Sequence, residues 1–180
     1  MEALRELSAF FPEAAKDLKL NLQSVLAEGS LSEGQRWLVA LSCALSKGDH
    51  ALARAIVASG GPAATEALVD DAKAVAALMA MNNVYYRFRH MVGKETYSIL
   101  PARLRMNRLG QPKTSKADFE LASLAVSALN GCEMCIRAHE QNVIAHGLSE
   151  AQVHDAVRIA AVVAGASSAL SLANFTPASV

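Results

Sequence analysis

Lys116-Ala117-Asp118-Phe119-Glu120-Leu121-Ala122-Ser123-Leu124-Ala125-Val126-Ser127-Ala128-Leu129-Asn130-Gly131-Cys132-Glu133-Met134-Cys135-Ile136-Arg137-Ala138-His139-Glu140 decides both the fold and the chemistry of this chain. Its first half is an apolar helical pattern that begins at Ser115 or Asp118 and reaches Leu129. Asn130-Gly131 supplies a turn, and the cysteine segment continues as a helix to about Ala145, where His146-Gly147 stops it. Residues three or four apart on a helix share a face, so Cys132, Cys135 and His139 converge on one small volume. Two thiols with a base beside them are the parts needed for dithiol-disulfide chemistry.

Glu120 is the last acid before the apolar run, and a carboxylate on a core-facing stripe needs a partner. Glu120 lies ten residues before Asn130 and His139 eight after Gly131. At about 1.5 Å per residue, a reversal at the turn sets the two at similar heights on adjacent antiparallel helices. The expected arrangement is a relay from Glu120 to His139 to a thiol. A competing reading makes Glu120 a half-exposed acid paired with Arg103 or Lys116. Cysteines in the first turns of a helix gain from unpaired amides and the macrodipole, which favour thiolate. Arg137 adds positive charge, pointing to a different side.

Outward from this stretch the pattern stays helical, with no sustained alternating strand, so the fold class is all-α. An amphipathic helix follows Phe11-Pro12 and carries Leu18, Leu22, Val25 and Leu26. Ser32 with Gln35, and Ser149 with Gln152, match capping boxes that open further helices, the last reaching about Leu172. Lys47-Gly48-Asp49 and Gly60-Gly61-Pro62 are breaks. A helix is expected over Thr65 to Met81, interrupted by Asn82-Asn83 before Tyr85-Tyr86-Arg87. Gly93 to Lys116 reads as an extended connector with one helical turn. The run from Ala74 to Asn83 echoes the run from Ala122 to Gly131. A single domain over 1–180 built from two helical repeats, about 32–92 without thiols and about 115–173 with them, is the expected organisation.

Composition narrows the function classes. The chain has 180 residues, is 52% hydrophobic and only 19% charged, with net charge zero. This suits one well-buried domain that hides further surface in an oligomer. No lysine-arginine cluster forms a long stripe, so nucleic acid is not an expected partner. Met1 to Lys16 carries Glu2, Arg5, Glu6 and Glu13, unlike a signal peptide. Ile159 to Phe175 is short for a span and diluted by Gly165 and serines, so it reads as a buried helix, not a membrane anchor. Three cysteines without an export signal point to a reducing cytoplasm, where a close pair is catalytic or metal-binding more often than structural.

Rival chemistries can be weighed. Covalent haem attachment wants histidine directly after the second cysteine, where Ile136 stands. Zinc could use Cys132, Cys135 and His139 with an open fourth position, but no second pair completes a structural site. A thioredoxin fold lacks its strand-before-helix setting. Cys43, among Leu41, Ala44 and Leu45, reads as a buried apolar residue. Tyr85, Tyr86 and Phe88 read as packing, and His50, His90, His146 and His154 as structural or surface residues.

The chain resembles the alkyl hydroperoxide reductase D (AhpD) family of the carboxymuconolactone decarboxylase-like superfamily. The resemblance runs through Pro12 to Leu22, Met81 to Arg87, Leu104 to Asn107 and, most specifically, Lys116 to Glu140. It implies an all-helical homotrimer with no bound cofactor, acting on alkyl hydroperoxides weakly by itself. It also implies a dihydrolipoyl group, on a lipoyl-bearing 2-oxoacid dehydrogenase component, as electron donor to an AhpC-like peroxiredoxin. The family's acid maps to Glu120, its catalytic cysteines and redox disulfide to Cys132 and Cys135, and its relay histidine to His139. Related members carry histidine where this chain has Met134, so the relay through His139 is expected to bear more of the proton transfer. Cys135 is expected to attack peroxide and Cys132 to resolve the sulfenic acid, although the position of Cys132 nearer the helix start favours the reverse order. A decarboxylase or lactone-type enzyme of the same superfamily, or a zinc-binding or non-catalytic module, are the alternatives.

Overall fold

The structure, a computed structural model, describes residues 1–173 and 175. Among these residues every regular element is helical. The order is α1 (Glu2–Ser8), α2 (Lys16–Ala27), α3 (Glu33–Ser46), α4 (His50–Gly60), α5 (Glu66–Val92), α6 (Glu95–Ile99), α7 (Lys116–Leu129), α8 (Glu133–Ala145) and α9 (Glu150–Ala173). The caps sit where the sequence sets them. Ser32 and Gln35 form a reciprocal box, Asp49 and Thr65 accept from Leu52 and Leu68, and Ser115 accepts from the Asp118 amide.

At the centre lies α7, whose residues from Phe119 to Ser127 are all buried. A helix buried on every side belongs inside a bundle, and α7 packs against α3, α5, α8 and α9. Phe119, Leu121 and Leu124 are fully covered, and each such side chain contributes about 1.5–3 kcal/mol. Burying α7 this deeply fixes the position of Glu120 and of the turn that launches α8.

The sequence expects Asn82-Asn83 to break α5, and here it is wrong: α5 runs unbroken over 27 residues. The Asn83 amide is satisfied in place. Its Nδ2 donates to Ser127 Oγ at 3.0 Å, and its Oδ1 accepts from Asn130 Nδ2 at 2.9 Å. One turn on, Arg87 donates to the Asn130 carbonyl at 2.6 Å. What reads as a breaker is a clamp that holds the α7–α8 turn against α5. At the matching point of the echoed run the chain does reverse, because Gly131 takes φ +66°, a conformation glycine adopts without penalty.

The connector after α5 holds more structure than the one turn expected, namely α6 and a 3-10 turn at Asn107–Gly110. Asp71, wholly buried, ties it down. Its carboxylate accepts from the amides of Lys113 (3.0 Å) and Thr114 (2.7 Å), from Thr114 Oγ1 and from Arg108. Positive charge is also more concentrated than a reading without stripes implies. Eight of the 17 lysines and arginines lie between Arg87 and Lys116, against one acid, Glu95. Three of them are neutralised by Asp70, Asp71 and Glu120.

The expected burial of Ile159–Phe175 holds for one face only, and residue 174 lies outside the described residues. By length and composition α9 could cross a membrane, and 33% of its most apolar window is buried. That third, including Ile159, Ala160, Val163 and Ala166, packs on α2, α3 and α7. Gly165 allows the approach of α2: a Cβ there would meet Leu18 Cδ2 at 2.7 Å.

Candidate active site

The site forms where α7 and α8 meet across the Asn130-Gly131 turn. Cys132 is the N-cap of α8, and Cys135 lies in its first turn, where the amides have no helical carbonyl to bond. Their sulfurs are joined in a disulfide, with Cα atoms 5.3 Å apart. Cys132 is completely buried and Cys135 is 6% exposed, so Cys135 is the more accessible residue of the pair. Cys43 takes no part. It is buried in the core, and desolvation pushes its thiol up to about 12, which keeps it protonated and inert.

One helical turn beyond Cys135, His139 Nδ1 lies 2.6 Å from Glu120 Oε2. Lys116 Nζ stands 2.8 Å from the other carboxylate oxygen, and Asn142 Nδ2 donates to Oε2 at 3.3 Å. The two sequence readings of Glu120 thus merge: it pairs with His139 and with Lys116, while Arg103 is not a partner. Glu120 is 5% exposed, not half-exposed. Burial raises its pKa, but the hydrogen bonds from His139 and Lys116 and their charges outweigh this and bring it to about 2. An ionised carboxylate only accepts, so the hydrogen between the pair sits on Nδ1. That fixes the tautomer and leaves Nε2 as the nitrogen able to take or give a proton.

Because its folded pKa lies below the ordinary 4.5, Glu120 stabilises the fold fully above about pH 4.5. That contribution is lost as pH falls through about 2. The stability difference between wild type and Glu120→Gln, read from urea midpoints, is expected to shrink steadily between pH 4.5 and 2. A difference constant over that range contradicts the assignment.

Beside the disulfide lies a pocket of about 300 Å³. Asn82 and Tyr86 of α5, Met106 and Leu109 of the connector, and Met134, Cys135, Ala138 and His139 of α8 line it. Four of these groups, Asn82, Tyr86, Met106 and Leu109, escape the sequence reading because they reach the site only through the tertiary fold. Asn142 was detectable, three residues after His139 and on its face. Arg137 turns away as expected, pairing with Glu133 at 2.8 Å, and His90 approaches the same acid at 3.3 Å on the surface. Among the described residues no three His, Cys, Asp or Glu side chains are grouped to hold a metal ion.

Residues 98–176 match the model of the carboxymuconolactone decarboxylase family. Over 178 residues, 99% of this chain and 96% of the relative, the sequence is 58% identical to the alkyl hydroperoxide reductase AhpD of Anaeromyxobacter dehalogenans. It is 46% identical to the protein of the same name from Azorhizobium caulinodans, covering 95% of this chain and 94% of the relative. The Maricaulis maris AhpD is 49% identical over 84% of this chain and 88% of its own. With an all-helical fold and similarity of this extent, the chain belongs to the alkyl hydroperoxide reductase AhpD family.

Proposed function

We propose that this chain is a dithiol peroxidase that cycles Cys132 and Cys135 between dithiol and disulfide. In the reduced protein the Cys135 thiolate attacks the terminal oxygen of an alkyl hydroperoxide. The S–O bond forms as the O–O bond breaks, and the alkoxide leaves as alcohol after taking a proton. The Cys132 thiol then attacks the Cys135 sulfenic acid, water departs, and the disulfide closes. A dihydrolipoyl group returns two electrons and two protons by thiol exchange and is itself closed to its disulfide. The same dithiol passes electrons to an AhpC-like peroxiredoxin, for which the chain's own peroxidase activity is a weak substitute.

The observation that carries this reading is the Glu120-bound imidazole of His139 on the wall of the pocket that also holds Cys135. His139 Nε2 takes the thiol proton, and Glu120 holds the ring in place through Nδ1. With Met134, a side chain that carries no proton, immediately before Cys135, more of the proton transfer falls to His139. Cys135 as the attacking sulfur agrees with its greater exposure.

The working unit in this proposal is a cytoplasmic homotrimer, the compartment that keeps a dithiol reduced. Large apolar side chains, among them Phe88, Met91, Ile99 and Leu100, stand exposed at the end of α5, on α6 and just after it, a surface of the kind that protein contacts cover. Steady-state consumption of cumene hydroperoxide with dihydrolipoamide as reductant tests the cycle. Turnover is expected to require dihydrolipoamide and to stop in Cys132→Ser. A Cys132→Ser protein that keeps cycling would refute it.

A further inference from the structure

Asn82 and Asn83 stand side by side on α5 and are used differently. The Asn83 amide is engaged at both ends, to Ser127 and Asn130. Asn82 is 5% exposed, lines the pocket beside Cys135, and has an Oδ1 that is buried and receives no hydrogen bond. A buried acceptor left unpaired destabilises a fold, so this amide is a liability unless a donor reaches it. The walls around it, Tyr86, Met106, Leu109 and Met134, offer mainly apolar surface. An apolar lining and the Cys135 sulfur therefore adjoin one unsatisfied buried acceptor.

We infer that Asn82 is a substrate-binding residue: its Oδ1 accepts the hydrogen bond of a hydroperoxide O–H while the alkyl group lies on the apolar wall. This rests on the dithiol peroxidase reading. A hydroperoxide carries one O–H, on the terminal oxygen that the thiolate attacks, so the bond to Asn82 holds that oxygen at the sulfur. The alkoxide leaves with the electron pair of the O–O bond, and His139 hands on to it the proton taken from Cys135. Closure of the disulfide completes the balance: one hydroperoxide and two thiols give one alcohol, one water and one disulfide. The amide N–H of a lipoyl chain could donate to the same oxygen, and the two arms below separate these sources.

The test uses Asn82→Leu, similar in shape without the acceptor, and Asn82→Ala. In the first arm, pre-reduced protein is mixed with cumene hydroperoxide and its thiols are counted against time. In the second, oxidised protein is mixed with dihydrolipoamide and thiol recovery is followed. Both variants are expected to slow the peroxide arm about tenfold, the size of one lost hydrogen bond, and to leave the dihydrolipoamide arm within roughly twofold. Tm of Asn82→Leu is expected to equal or exceed that of wild type, because an unpaired acceptor has been removed. An unchanged peroxide arm, a loss confined to the dihydrolipoamide arm, or a marked fall of Tm in both variants overturns the assignment. If wild-type protein itself loses no thiols to peroxide, the peroxidase reading fails first, and the two failures are told apart.

Discussion

Replacing Cys135 by serine is expected to reduce hydroperoxide turnover by at least about 1000-fold, to the level set by the uncatalysed reaction. The size of the effect follows from the inventory of sulfurs. Cys43 is buried in the core with its thiol held protonated, so it cannot substitute. Cys132 is wholly buried at the N-cap of α8, whereas Cys135 lines the pocket in which a peroxide would lie. Serine fills nearly the same space in the first turn of α8, so the fold is expected to survive, as circular dichroism can verify. In Cys132→Ser the first chemical step should persist, and a sulfenic acid at Cys135 should be trapped by dimedone. A Cys135→Ser protein with wild-type turnover would assign the attack to Cys132 and reverse the proposed order.

His139→Phe is expected to lower turnover about 100-fold, the lower range for loss of a positioned base. It should also move the pH profile of Cys135 alkylation to higher pH in the reduced protein. Phenylalanine keeps the ring in the pocket wall and removes only the proton carrier. It also leaves the buried Glu120 carboxylate with Lys116 and Asn142 as partners, so some loss of stability accompanies it. Glu120→Gln should shift the alkylation profile in the same direction by less, because the imidazole stays but is no longer held by a charged acceptor. An alkylation profile unchanged in His139→Phe would show that the imidazole does not act on the thiol.

Much of this site is written in local sequence. The helix, the Asn130-Gly131 turn and the second helix follow from periodicity and turn chemistry, and counting residues from that turn brings Glu120 level with His139. The capping boxes at Ser32 and Ser149 are equally local, and both are formed. Failures arise where long-range contacts override local signals. Asn82-Asn83 looks like a helix break because asparagine competes with the backbone for hydrogen bonds, but Asn83 finds its partners on α7 and in the turn. The connector looks unstructured because its anchor, Asp71, lies 42 residues before Lys113 in the chain. For the same reason Asn82, Tyr86, Met106 and Leu109 could not be assigned to the pocket from sequence. In sequence Lys116 and His139 are rival partners for Glu120, and the carboxylate, with two oxygens, binds both.

In the proposed cycle peroxide converts the Cys132 and Cys135 thiols into an intramolecular disulfide. Intact mass with peptide mapping tests this, on pre-reduced protein that is alkylated either without or after exposure to one equivalent of cumene hydroperoxide. Loss of two alkylatable thiols per chain, a Cys132–Cys135 cross-linked peptide, Cys43 still alkylated after denaturation, and no covalent dimer are expected. Retention of all three thiols, or accumulation of sulfinic acid at either cysteine in place of the cross-link, would contradict it.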